Sequence, residues 1–109
     1  MPRKNSAVSK EAQLLFNHIK ANITARLKVL DVSAYRVSLA SGHNQTWISD
    51  SFRRSAWVSI AFLADVGVAL NVPGRHLAMP PEKFRPSSYA LPLWLEEHEL
   101  RTHCRPPEC

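Results

Sequence analysis

Leu15, Ile19, Ile23 and Leu27 fall at strict four-residue spacing and Leu30 completes the stripe, which is the period of a helix with one apolar face. Ser9 is placed to cap its start, with Glu11 in the first turn and an end near Asp31. Ser33 can cap a second helix whose inward residues are Val37 and Ala40, and Gly42 is free to take the positive φ of a sharp turn. That helix spans only about two turns. Asn44 then caps a third helix that turns Ile48 and Phe52 inward, leaving Gln45, Thr46, Ser49, Asp50 and Arg53 for solvent or a ligand.

Ser59 opens a fourth helix in which Ile60, Leu63, Val66, Val68 and Leu70 alternate with small Ala61, Ala64, Gly67 and Ala69, a composition suited to burial. It stops at Asn71-Val72-Pro73-Gly74. Residues 75–79 can add one turn before Pro80-Pro81. From there to Ser88 the composition of Pro, Ser, Lys and Arg reads as a linker, and Pro92 to Cys104 as one short helix. The pattern predicts an all-α chain: a basic arm over residues 1–10, a five-helix bundle over 11–79, and an interaction tail over 80–109.

Charge sharpens the picture. The 109 residues carry a formal net charge of +5. Counted along the chain, residues 1–54 hold nine Lys/Arg against three Asp/Glu, and residues 55–109 hold five against six. A polyanion-binding surface is therefore expected in the first half. The start Met-Pro-Arg-Lys-Asn-Ser is followed by Ala-Val-Ser-Lys-Glu rather than an apolar run, and no apolar stretch approaches the ~20 residues of a membrane span. A cytoplasmic protein without membrane association is expected.

Candidate chemistry is sparse. His98 and His103 are five apart, about 140° around a helix, so they do not chelate from one face as an i, i+4 pair does. Cys104 and Cys109, the two cysteines, lack the tight spacing of a zinc site. No nucleophile triad, phosphate loop or carboxylate pair emerges. Neither metal, cofactor nor enzymatic activity is expected.

The stretch from about Leu15 to Leu77 resembles the DNA-binding domain of lambda-repressor-like (XRE-type) transcription regulators. The landmarks are Leu27-Lys-Val-Leu-Asp-Val-Ser33 before the second helix, Gly42-His-Asn between the two motif helices, Ile48 in the third, and Leu63 through Ala69-Leu70-Asn-Val-Pro73 in the fourth. The resemblance implies a compact five-helix bundle with a helix-turn-helix, and a bacterial or phage repressor that occupies a palindromic operator on double-stranded DNA as a homodimer. It places Gln45, Thr46, Ser49 and Asp50 toward base edges. Gln suits adenine, Thr a thymine methyl, and a carboxylate can accept from cytosine. Arg36, Asn44, Arg53 and Arg54 would meet phosphates, and Arg3 and Lys4 an adjacent groove.

The chain departs from that pattern at several positions. Ala34 stands where many members have Gln, Ser51 where an inward aliphatic is usual, and Arg54 where a turn glycine is usual. Asp50 brings negative charge toward DNA, and Trp47 is bulky; it either lines the sugar-phosphate backbone or, as the favoured arrangement, packs beside Tyr35 and Trp57. These departures motivate the rival reading of an antitoxin or phage antagonist that acts on another protein. In the tail, Tyr89, Leu93, Trp94, Leu95 and Leu100 form an apolar set that either folds back over the bundle or pairs with a second subunit or partner.

Overall fold

A computed structural model describes residues 9–53 and 58–95. The described chain is helical without strands, in the order α1 (Lys10–Leu30), α2 (Ala34–Ala40), α3 (Trp47–Arg53), α4 (Ile60–Leu70) and α5 (Gly74–Leu77). It is helical again at residues 93–95. Three serines start the helices as anticipated. The side chains of Ser9, Ser33 and Ser59 accept from the backbone N–H groups of Ala12, Arg36 and Phe62 at 3.0, 3.2 and 2.9 Å, each satisfying one orphan donor of a first turn. Asp31 and Asn71 close α1 and α4 in the left-handed conformation, with φ of 57° and 58°. Their N–H groups bond back to carbonyls of the preceding turn, and Asx side chains tolerate that conformation better than most.

The buried face of α1 differs from the four-residue stripe. Leu15 is 48% exposed, and the core instead takes Phe16, Ile19, Ile23 and Leu30. Leu15 and Phe16 lie about 100° apart on the helix, and the mixed three- and four-residue steps from Phe16 track the bundle axis better than uniform steps of four. The same inner face carries two polar residues, Asn22 and Arg26, each only 1% exposed.

Corrections of the same kind apply to α2 and α4. Ala40 is exposed, and Ser38 joins Val37 inside. On α4 the core residues are Phe62, Val66, Ala69 and Leu70, while Ile60 and Val68 project into solvent at 87% and 81% exposure. An apolar composition all round says a helix can be buried but not which sector is. Gly67 has a close-approach role: a Cβ there would lie 2.6 Å from the Val72 carbonyl oxygen and 3.2 Å from the Gly74 nitrogen. Its absence lets the chain turn back directly onto α4.

Residues 80–95 are not a loose linker. They run as successive turns back across the bundle, burying Phe84 and Leu95. The Arg26 guanidinium holds this strap. Its Nε donates to the Leu70 carbonyl at 3.0 Å, one terminal nitrogen to those of Pro86 at 2.6 Å and Tyr89 at 3.4 Å, and the other to that of Ala90 at 2.8 Å. Asn22 donates to the Leu77 and Met79 carbonyls at 2.9 and 2.8 Å, and Asn71 to that of Ala90 at 3.0 Å. Trp94 Nε1 donates to the Ala69 carbonyl at 2.7 Å, and Tyr89 Oη meets His76 Nδ1 at 2.9 Å. Most of these acceptors are backbone groups without a helical partner, so the polar inner face of α1 replaces a secondary-structure ladder. No helix among the described residues is long and apolar enough to cross a membrane.

Candidate nucleic-acid interface

The α2–turn–α3 unit is built around a short backbone reversal. Ser41 caps α2, Gly42 takes φ +81°, and no neighbouring atom lies within 4 Å of the Cβ that position would carry. Glycine is therefore needed at this turn for its backbone freedom and not for space. Ser38 then ties the two helices together: its hydroxyl donates to the Ala34 carbonyl at 2.8 Å and accepts from the Ile48 N–H at 3.2 Å. Val37 and Ile48 are fully buried beside it. Ser51 is also buried and donates to the Trp47 carbonyl at 2.9 Å, so this hydroxyl at an inward position is satisfied within its own helix.

Asn44 initiates the turn into α3. Its Oδ1 accepts from the Thr46 N–H at 3.0 Å, an Asx turn that satisfies a leading donor. Gln45 and Thr46 occupy this turn, one step ahead of the first residue of α3, and Asn44, Gln45 and Thr46 are all exposed. Ser49 and Asp50 are half-buried.

The candidate base-reading residues are unequal. Thr46 Oγ1 lies 2.9 Å from Asp50 Oδ2 and 3.1 Å from Asn44 Oδ1, and its one proton serves one of them at a time. Asp50 Oδ1 accepts from the Arg53 guanidinium at 2.9 Å. The carboxylate is thus engaged on both oxygens, and Arg53 is its counter-ion as well as a candidate phosphate ligand. Among the described residues Gln45 forms no side-chain hydrogen bond, so both faces of its amide are open. Arg36 is half-buried with its guanidinium 5.9 Å above the Trp94 ring. Arg3, Lys4 and Arg54 lie outside the described residues, as do Leu100, His98, His103, Cys104 and Cys109.

Arg26 alters the charge reading. It counts toward the basic first half but is sealed inside, where burial pushes its guanidinium below the ordinary arginine range, an effect that the neighbouring Tyr89 phenol partly offsets. The positive surface charge of α1 rests on Lys10, Lys20 and Lys28, with Lys20 over the rings of Phe16 and Phe52 at 5.4 and 5.9 Å.

Trp47 packs on other rings than Tyr35, which is 52% exposed, and Trp57 lies outside the described residues. The indole instead stacks on His43 at 3.7 Å between ring centroids, meets Phe62 edge-on at 5.0 Å, and so wedges α3 against α4. His43 Nε2 stands 3.4 Å from Asp65 on α4. A cleft of about 320 Å³ opens beside them, lined by His43, Asn44, Trp47, Asp50 and Asp65 among others. The partnership of His43 went unread in the sequence, since His43 lies in the turn ahead of α3, where helical spacing gives no signal.

In the tail, Tyr89, Trp94 and Leu95 pack on the chain's own bundle and Leu93 is 82% exposed. Among the described residues, no group of three or more His, Cys, Asp or Glu is placed to hold a metal ion. Compared with protein-family models, curated proteins and solved structures, the chain gives no match.

Proposed function

We propose that this chain is a sequence-specific DNA-binding regulator of the lambda-repressor-like kind, a bacterial or phage repressor that occupies a palindromic operator as a dimer. The observation that carries this reading is the α2–Gly42–α3 unit, two short helices fixed by the Ser38 to Ile48 bond with Gln45 and Thr46 exposed at the leading edge of α3. A helix held this way fits the width of a major groove, and a free glutamine amide can pair bidentately with adenine. Gln45 is the principal reader, Thr46 contributes when it releases Asp50, and Asn44 and Arg53 set the register on phosphates.

The test is selection of bound duplexes from a random pool, followed by anisotropy titration of the selected site. Gln45→Ala should weaken the selected site by roughly 5- to 150-fold, the span of one bidentate contact, and leave random DNA unaffected. Arg53→Ala should weaken both and flatten the salt slope. Equal losses on both duplexes for Gln45→Ala would sink the base-reading role. A second reading, an antitoxin or phage antagonist acting on a protein, is favoured by Asp50, which sets a carboxylate on the surface that would approach phosphates. Failure of any duplex to be retained at low salt would favour it.

A further inference from the structure

The outer face of α4 is apolar and uncovered by any described element. Ile60, Ala64 and Val68 follow at four-residue spacing along it, and the two aliphatics are among the most exposed of the described chain, with Leu93 of the strap equally open. Three large aliphatic side chains above 80% exposure exceed the scatter of single apolar residues that any surface shows.

The shape of this face identifies its occupant. Val68 stands between two hollows and contributes to the wall of both. One, of about 310 Å³, lies between the end of α2 and the strap and is lined by Ala40, Ala69 and Trp94; the other, of about 360 Å³, lies over Gly67, Pro73 and Gly74. A knob and the holes that would receive it therefore occur on the same surface. That is the condition for an isologous contact, in which one patch meets its own copy across a twofold axis. The charges agree. Asp65 lines the first hollow and Arg36 lies over the Trp94 ring at its edge, so a twofold copy can set base against acid.

We propose that a second copy of this chain docks here, α4 against α4, with Val68 of each copy seated in a hollow of the other. This deepens the dimer of the preceding reading and rests on it only for its biological use, since the contact itself needs no DNA. A contact between single helix faces belongs at the small end of protein interfaces, so a weak, concentration-dependent dimer is expected.

Sedimentation velocity of the full chain, from low micromolar to millimolar concentration, tests the proposal. Wild type should shift from monomer to dimer, and Val68→Glu should raise the dissociation constant by at least about tenfold, as should Ile60→Glu. Because both side chains are solvent-exposed, unchanged far-ultraviolet circular dichroism should accompany the loss. Leu14→Glu, an equally conservative change on the exposed face of α1, should leave dimerisation intact. A wild type that stays monomeric throughout, a Val68→Glu chain that dimerises normally, or a Leu14→Glu chain that loses the dimer would each overturn the proposal. Anisotropy with random duplex at low salt separates the two readings. Dimerisation lost in Val68→Glu with no DNA bound by any variant keeps the interface and removes the DNA function; DNA binding with a monomeric wild type does the reverse.

Discussion

Replacing Arg26 by methionine removes the guanidinium while keeping most of the apolar stem, and the structure allows the consequence to be sized. Three of its four hydrogen bonds are well formed, to the carbonyls of Leu70, Pro86 and Ala90 at 3.0, 2.6 and 2.8 Å, and the fourth, to Tyr89 at 3.4 Å, is marginal. Hydrogen bonds from a charged donor contribute about 1.5–3 kcal/mol each. Against that, the guanidinium need no longer be taken out of water, a cost of several kcal/mol. The Pro86 and Ala90 carbonyls are part-buried and can find water, whereas the Leu70 carbonyl at the end of α4 is fully enclosed. A net loss of about 1–3 kcal/mol follows, the cost of leaving the enclosed Leu70 carbonyl without a donor. Against a total stability of about 5–15 kcal/mol, that is a measurable fraction.

Arg26→Lys should cost nearly as much, because one ammonium cannot span carbonyls contributed by α4 and by two separate turns of the strap. Urea titration followed by circular dichroism and by tryptophan emission would measure both variants. The strap should also loosen before the helices melt, so the two probes should cease to coincide. A loss below about 1 kcal/mol with coincident transitions would refute the view that Arg26 fastens the strap.

Other outcomes follow from the same geometry. Gly67→Ala should destabilise by about 2 kcal/mol or more, since its Cβ would meet backbone at 2.6 Å, whereas Gly42→Ala should cost only about 1–2 kcal/mol from its positive φ with no clash; thermal melts that rank the pair the other way would contradict this account. Ser59→Ala should lower stability by about 0.5–2 kcal/mol through loss of the α4 cap, measurable by urea titration. Asp50→Asn should tighten binding to random duplex at low salt and steepen the salt dependence by freeing Arg53; an unchanged salt slope would show that the pair does not restrain it.

The local signals in the sequence were sufficient for the local features. Serine caps, the Gly42 reversal and the Asn71 stop are encoded within three or four residues, and each is found where the residues place it. The choice between Leu15 and Phe16 was not legible, because adjacent apolar residues differ only in which direction the rest of the bundle lies. Ile60 and Val68 were misplaced for the same reason. Arg26 was invisible as a core residue, since nothing near it in sequence hints at acceptors 44 to 64 residues away. At the candidate site, the sequence places Gln45 and Thr46 in the first turn of the third helix, whereas they stand exposed in the turn before α3 begins at Trp47. The closed Thr46–Asp50–Arg53 arrangement has i, i+4 and i, i+3 spacing and was readable in principle; the wedge of Trp47 and His43 against α4 was not, because it depends on how two helices cross.

The strap has a bearing on how the chain is made. Arg26 leaves the ribosome early, and its last acceptor, the Ala90 carbonyl, follows 64 residues later. Contacts of such long sequence separation close late. The bundle thus emerges with an unsatisfied charge at its centre and completes only when the strap arrives, so a chain stalled or cut after α5 would remain open, exposing the apolar seats of Phe84 and Leu95 to chaperones and proteases. What reads in the sequence as a dispensable linker is the segment that determines when synthesis yields a finished fold.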